Sequence, residues 1–365
     1  MKYYIIAGEA SGDLHASNLI RELKVLDNKA EFRCWGGDLM QKQGAEIVKH
    51  YRDLAFMGFT EVLMNIRTIF KNIDFCKKDI EAYQPDVLIL VDYPGFNLRI
   101  AEFAKAAGLK VFYYVSPQIW AWKQSRVHKI KRVVDKMFVI LPFEKEFYKR
   151  FDYDVDFVGH PLLDAVENFA EYEQQLSINT NKPIIALLPG SRKQEINTVL
   201  PLMLAMCKHY PAYEFVIAGA PSQTSEYYKT FIGNSDIKIV YNQTYPLLKK
   251  AYAALVTSGT ATLETALFGV PEVVCYKGGT ISYHIAKQLI KVKYISLVNL
   301  IMDKEIVKEL IQNELNESNL KIELDKLLVP TTRNKIIQNY VELTQKLGGV
   351  GASKKTATLM INYLK

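Results

Sequence analysis

Short apolar runs alternate with amphipathic stretches along most of the chain. Residues 2–7, 32–35, 86–91, 110–115 and 136–141 read as strands in the first half, and residues 184–188, 214–218, 237–240, 253–257 and 272–276 in the second. Several of these runs are apolar throughout, the pattern of parallel strands buried on both faces. Helical patterns lie between them. Residues 14–24 form one, and a second runs from Phe96 to Ala107 with Gly108 as its stop. A third follows Arg192, with Val199, Leu202, Met203 and Met206 on one face. A polar stretch at 177–182 marks the approach to a domain boundary. After Leu324 the pattern turns helical, and residues 334–345 and 353–365 read as closing helices around a glycine-rich break at 348–351. Each half opens with strand, glycine-containing loop and helix. This repetition predicts an α/β protein of two Rossmann-like, doubly wound domains facing each other across a cleft. The expected domains are residues 1–170, completed by a C-terminal helix at 346–365, and residues 171–345. Ligands in such sheets bind at the carboxyl ends of the strands.

Composition narrows the function classes. The 46 Lys and Arg against 39 Asp and Glu give a net charge of +7 over 365 residues. That excess is modest, does not call for nucleic acid, and suits an anionic substrate or an anionic membrane surface. No apolar run approaches the ~20 residues of a membrane-spanning helix. The N-terminus reads as a strand, not as a signal peptide. Cys34, Cys76, Cys207 and Cys275 are scattered without metal-ligand spacing, which suggests buried thiols in a reducing compartment and a cytoplasmic protein. The histidines form no paired metal motif, so no metal and no cofactor are expected. A GxSxG signature is absent, which disfavours an activated serine hydrolase.

The chemistry concentrates in the loops. In residues 184–196 (IIALLPGSRKQEI) a strand breaks at Pro189, Gly190, Ser191 and Arg192 before a helix. The first N–H groups of a helix point at whatever anion sits there, and Arg192 adds a charged fork suited to phosphate. A solvated Arg192 on an ordinary turn is the alternative. Residues 258–264 (SGTATLE) make a second unit of this type. Ser258, Gly259, Thr260 and Thr262 offer hydroxyls and backbone N–H groups, and Glu264 can accept both hydroxyls of a ribose. Two anion loops in one half suggest a nucleotide diphosphate.

In the first half, Gly8, Ser11, Gly12 and Asp13 (GEASGD, 8–13) let a ligand approach the backbone. Glu9 would repel a diphosphate, so this loop reads as an acceptor-side wall. Asp13 could equally serve the dipole of the following helix. Asp92 ends an apolar strand and is a candidate general base, with Asn97 placed to orient a sugar hydroxyl. Asp92 as a helix cap is the bland alternative. Trp120 and Trp122 introduce a basic segment at 123–132 that suits a phosphate or lipid surface or, more simply, a solvated face. At residues 56–70, Val62, Leu63, Ile66, Ile69 and Phe70 recur at helical spacing, as a core helix or as a lipid-binding one.

Taken together, GEASGD (8–13), GGxxM (36–40), MGFTEVL (57–63), DYPGFN (92–97), SPQIWAWK (116–123), LPFE (141–144), VGHPLLD (158–164), LLPGSR (187–192) and SGTATLE (258–264) resemble the lipid-A-disaccharide synthases. The resemblance implies a GT-B glycosyltransferase fold. It implies inverting, metal-independent transfer of 2,3-diacylglucosamine from UDP-2,3-diacylglucosamine to 2,3-diacylglucosamine 1-phosphate (lipid X), giving the disaccharide 1-phosphate and UDP. It implies a cytoplasmic protein peripheral on the inner face of the inner membrane, with an anionic membrane surface as partner and room for a homodimer. By motif, Asp92 and Arg192 match catalytic positions. Glu264 and Asn299 (SLVNL, 296–300) match the donor side. With acylated substrates implied, Val62, Leu63, Ile66, Ile69 and Phe70 become a membrane or acyl contact, and Trp122 with the basic segment lies toward the acceptor phosphate. The chain departs from the family pattern at Gly95, where an acidic residue is common, and at Val298, where proline is usual. A UDP-N-acetylglucosamine 2-epimerase-like enzyme and a non-catalytic nucleotide-sugar or lipid-binding protein are the alternatives.

Overall fold

The apolar runs become parallel strands because both of their faces are covered by helices. A computed structural model of the chain describes residues 1–54, 66–171, 175–233, 235–279 and 292–365. The motif at 57–63, with Val62 and Leu63, lies outside the described residues, as do the side chains of Ile66 and Trp122. The chain divides into two compact units, Met1–Asp164 with Leu347–Lys365, and Ala165–Lys346.

In the first unit, β1 (Lys2–Ala7), β2 (Glu31–Gly36), β3 (Glu46–His50), β4 (Val87–Val91), β5 (Lys110–Tyr114), β6 (Lys136–Val139) and β7 (Asp156–Phe157) form one sheet. Its order is β3-β2-β1-β4-β5-β6-β7, and every pairing is parallel. β4 is buried along its whole length. The buried aromatic side chains on β1 keep their polar atoms satisfied: the Tyr4 hydroxyl accepts from Trp35 Nε1 at 2.8 Å and donates to Asp79 at 2.6 Å. Asp79 is in turn gripped by both Arg33 Nε (2.9 Å) and Arg33 Nη2 (2.7 Å). The order of connection reverses between β1 and β4, which is the switch point where such sheets bind ligands.

The second unit holds β8 (Ile184–Leu188), β9 (Glu214–Gly219), β10 (Lys238–Tyr241), β11 (Ala251–Thr257), β12 (Glu272–Tyr276) and β13 (Lys308–Ile311). These too are all parallel, in the order β10-β9-β8-β11-β12-β13, with the switch point between β8 and β11. Three strands carry no apolar run in the sequence: β3, β7 and β13. All three are sheet edges. An edge strand is covered on fewer sides, so its residues mix polar and apolar, and hydropathy does not announce it.

Two helix boundaries differ from the sequence pattern. The first helix is Ala10–Leu26, so most of the GEASGD loop is its first turn, closed by Asp13 N–H donating to the Glu9 carbonyl at 2.9 Å. The penultimate helix is Pro330–Lys346, opened by a proline whose missing N–H is harmless in the first turn.

The last helix, Ala352–Leu364, packs on helix Ala10–Leu26 of the first unit. Asp164 anchors it. The buried carboxylate accepts the N–H groups of Gly351 (2.6 Å), Ala352 (3.3 Å) and Ser353 (2.9 Å), the otherwise unpaired donors at the helix start. The backbone N–H of His160 donates to the Leu347 carbonyl at 3.0 Å at the same junction. Removing this cap in Asp164→Ala is expected to lower stability by about 1–2 kcal/mol and to expose the C-terminal helix to protease. Denaturant melts and limited proteolysis check both.

Candidate active site

At the switch point of the first unit, three residues without glycine's freedom adopt left-handed backbone: Asp92 (φ +46°), Tyr93 (φ +48°) and Val115 (φ +63°). Asp92 and Tyr93 follow β4, and Val115 follows β5. A β-branched residue at positive φ is a genuine outlier, and consecutive left-handed residues are costly. Hydrogen bonds hold this geometry. Asp92 N–H donates to the Tyr114 carbonyl (3.2 Å), and Val115 N–H to the Phe138 carbonyl (3.1 Å). The Asp92 carbonyl accepts from Asn97 Nδ2 at 2.7 Å and from the Tyr113 hydroxyl. Pro94 then starts helix Pro94–Ala106 at the position where its fixed φ suits a helix.

The turn aims Asp92 out of the strand end and leaves its carboxyl poorly hydrated. Burial and the neighbouring Glu9 carboxylate push the Asp92 carboxyl up to about 7, against a stabilising hydrogen bond from the Tyr93 backbone N–H. A carboxylate that titrates near neutrality is suited to general-base work. Gly8 makes the neighbouring approach possible: a Cβ there would lie 2.4 Å from the Tyr93 ring. Tyr93 stacks on Phe96 at 5.6 Å, and Phe96 packs against Trp35 at 5.2 Å.

Several residues placed at this site by sequence have other work. Asp13 is buried, and its oxygens accept from Gly37 N–H (2.8 Å), Met40 N–H (3.1 Å) and Leu39 N–H (3.1 Å). It caps helix Asp38–Lys42, so it shapes the neighbouring loop and does not face a ligand. Gly12 is likewise buried, 3.2 Å from the Ala7 side chain if it carried a Cβ, while Ser11 is partly accessible. Asn97 is fully buried, and its amide reaches the carbonyls of Ile6 (3.5 Å), Val91 (3.2 Å) and Asp92 (2.7 Å). It clamps β1 to β4 behind the site and has no access to a sugar hydroxyl. Trp120 is buried edge-on against Phe143 at 4.9 Å. The basic segment beyond it is partly neutralised, since Glu102 pairs with Lys129 (2.8 Å) and Arg132 (3.7 Å).

In the second unit, β8 delivers the Pro189–Arg192 turn and β11 the Ser258 loop, on either side of the switch point. Gly190 sits at φ +101°, where only glycine is comfortable, and a Cβ would meet Glu195 Oε2 at 2.5 Å. That contact shows a residue the sequence reading passed over. Glu195 Oε2 accepts the N–H groups of Ser191 (3.1 Å) and Arg192 (3.2 Å), and Oε1 lies 3.4 Å from Arg192 Nη1. The amides read from sequence as open to an anion are therefore taken by the carboxylate of the helix's own third residue. Arg192 itself is 58% exposed along its side chain.

On the other loop, Gly259 and Thr260 are exposed at the start of helix Thr260–Leu267, and space around Gly259 is open. The Ser258 hydroxyl donates to the Ile295 carbonyl (3.1 Å). The Thr262 hydroxyl is buried and donates to the Gly259 carbonyl (2.8 Å), so it stiffens the loop and is not offered outward. Glu264 is half-buried, and the Tyr245 hydroxyl donates to its Oε1 at 2.9 Å. Burial raises the Glu264 carboxyl and the Tyr245 bond opposes the rise.

Asn299 is the clearest reassignment. It is fully buried, its Oδ1 accepts from Ile306 N–H (2.7 Å) and Val307 N–H (3.1 Å), and its Nδ2 donates to the Val307 carbonyl (2.8 Å) and Glu309 (2.9 Å). Every hydrogen-bonding position of that amide is filled. Asn299 therefore ties helix Leu297–Met302 to β13 and has nothing left for a donor substrate. Among the described residues no cluster of three or more His, Cys, Asp or Glu side chains could hold a metal ion.

Comparison with known proteins gives this geometry its context. A family profile described as LpxB, lipid-A-disaccharide synthetase, matches residues 3–361. The lipid-A-disaccharide synthase of Syntrophus aciditrophicus (strain SB) is 38% identical over 99% of this chain and 97% of its own length. Among solved structures, the glycotransferase of kitacinnamycin superposes with a TM-score of 0.68 at 12% identity, covering 100% of this chain and 99% of that one. The UDP-GlcNAc 2-epimerase of Neisseria meningitidis bound to UDP-GlcNAc does so with a TM-score of 0.66 at 14% identity, covering 100% and 99%. At such identities these two structures share the fold, two parallel-sheet α/β domains of the GT-B kind.

Proposed function

This chain belongs to the lipid-A-disaccharide synthetase family, and from that premise we propose the part its own residues take in the family's reaction. The reaction is glycosyl transfer: 2,3-diacylglucosamine passes from its UDP conjugate to 2,3-diacylglucosamine 1-phosphate, forming a β-1,6 bond and releasing UDP. The 2-epimerase alternative has only the likeness of fold behind it.

Asp92 is the general base. It takes the proton of the acceptor 6-hydroxyl as that oxygen bonds to the anomeric carbon of the donor. The bond from that carbon to the β-phosphate oxygen breaks, and its electron pair leaves with UDP. The observation that carries this assignment is the Asp92 carboxyl itself, aimed from the end of β4 and pushed up to about 7. A base with an ordinary carboxylate pKa would be far weaker toward an alcohol.

Arg192 neutralises the charge that grows on the leaving β-phosphate, its exposed guanidinium being a bidentate phosphate partner. The exposed N–H groups at Gly259 and Thr260 receive the diphosphate at a helix start. Contact at Ser191 and Arg192 N–H would require the diphosphate to displace Glu195. Glu264 accepts the ribose hydroxyls.

An anionic membrane surface is the partner that supplies acylated substrates. No helix among the described residues is long and apolar enough to cross a membrane. Instead, helix Ile66–Tyr83 shows Phe70 (52% exposed) and Phe75 (47% exposed) beside exposed Arg67 and Lys71. Arg99 lies 5.7 Å over the Phe70 ring. Ile69, one position before Phe70, is half-buried. Apolar rings among cations are the pattern of a helix that lies on an anionic interface.

Four outcomes test these roles. The acceptor kcat/KM is expected to rise with pH and level off above about 7, because only the ionised Asp92 can take a proton. Asp92→Asn is expected to remove that dependence and lower turnover by about 10²–10⁴-fold, measured as UDP release with folding checked by circular dichroism. Arg192→Ala is expected to lower kcat by about 10²–10³-fold; near wild-type turnover would sink its role. Phe70→Ser is expected to weaken sedimentation with vesicles containing anionic lipid, with folding checked by circular dichroism.

A further inference from the structure

The hydrogen bond between Tyr245 and Glu264 is the observation that the roles above leave unexplained. Tyr245 sits on helix Thr244–Lys250 and Glu264 on helix Thr260–Leu267, so the bond joins two helices of the second unit. The Tyr245 ring is fixed on two sides. It meets the Phe169 ring at 5.5 Å and the Phe268 ring at 5.0 Å, and those two rings lie 5.8 Å apart. Three aromatic rings in mutual contact leave the phenol little freedom. Its hydroxyl is the one polar atom of the trio, and it donates to Oε1 of Glu264 at 2.9 Å. Among the described residues, Oε2 of Glu264 has no hydrogen-bond partner.

A glutamate has a flexible stem, and ordering it on binding costs side-chain entropy. Tying one oxygen to a rigid phenol removes much of that freedom before ligand arrives. A packing role alone would be met by phenylalanine, since Phe169 and Phe268 touch the ring and not the hydroxyl. The pairing also sets chemistry: a buried tyrosine beside a carboxylate stays protonated and donates, which favours the ionised, acceptor form of Glu264.

From this arrangement we propose that Tyr245 is the positioning residue for Glu264, presetting its carboxylate to accept the vicinal hydroxyls of the donor's ribose. The proposal rests on Glu264 contacting the ribose. It adds that discrimination for a ribose diol depends on a hydroxyl one helix away, in a residue that does not itself touch the substrate.

The test compares binding of UDP and 2′,3′-dideoxyuridine diphosphate by calorimetry, together with donor kinetics, in the full-length protein. Tyr245→Phe keeps the ring and removes the bond. It is expected to weaken UDP binding roughly ten-fold, the range of a hydrogen bond to a charged group, and to leave the dideoxy ligand unchanged, so that the preference between them shrinks. Donor KM is expected to rise with kcat within about two-fold, because a ribose contact is made equally in ground and transition states. Phe169→Leu loosens the ring packing but keeps the hydroxyl, and is expected to lower the melting temperature with the preference retained. The proposal is overturned if Tyr245→Phe keeps the full preference for UDP while Glu264→Gln loses it. It is equally overturned if Phe169→Leu loses the preference as Tyr245→Phe does. If Glu264→Gln itself retains the preference, the ribose assignment fails, and the positioning role falls with it.

Discussion

The left-handed turn at Asp92 and Tyr93 is the constraint on which the first unit's chemistry depends. A fully buried parallel strand must end abruptly where the chain turns into a helix. Two consecutive left-handed residues, Asp92 and Tyr93, make that turn between β4 and helix Pro94–Ala106. The conformation persists because the backbone around it is over-determined, by Tyr114, Asn97 and Tyr113 at Asp92 and by Phe138 at Val115. The same crowding withholds water from the Asp92 carboxyl, and Glu9 adds a like charge. Strain, burial and basicity are thus consequences of one turn.

The second unit solves a different problem with the same architecture. In the proposed reaction its switch-point loops receive a diphosphate, which calls for donors and positive charge near water. Gly190 gives Glu195 room to close on the turn, the Arg192 side chain is largely exposed, and Gly259 and Thr260 present an open helix start. Asn299, behind these loops, is saturated instead of offered. Asn299 and Glu309 lock helix Leu297–Met302 to β13, with Ser296 N–H on Glu309 at 3.0 Å. Unsatisfied polar atoms in such a place would cost stability and blur the loops they support.

The strand-and-loop order was legible from sequence because central parallel strands are apolar runs and their loops are punctuated by glycine and proline. Ile184–Leu188 and Glu272–Tyr276 have the predicted ends. The edge strands β3, β7 and β13 were not legible, since partial exposure mixes their pattern. Among candidate residues, sequence could say which were polar and near a strand end, but not which way they point. Asp13, Asn97 and Asn299 meet the same description as Asp92 and Glu264, yet all three turn inward to satisfy backbone groups. Only three-dimensional packing separates a buried clamp from a side chain with hydrogen-bonding capacity to spare. Glu195 was legible in principle only as an acidic residue in the first turn of a helix. Tyr245 was not, because no local pattern ties it to Glu264 nineteen positions later.

The account stands or falls on the state of the Asp92 carboxyl at neutral pH. Carbon-13 NMR titration of the side-chain carboxyls, with the Asp92 resonance assigned by its loss in Asp92→Asn, measures it directly. The expected result is a carboxyl titrating near 7 that disappears in the variant, while the buried Glu144 carboxyl, also pushed up to about 7, remains. An Asp92 resonance titrating near 4, the ordinary range for aspartate, would contradict the claim that its turn makes it a base.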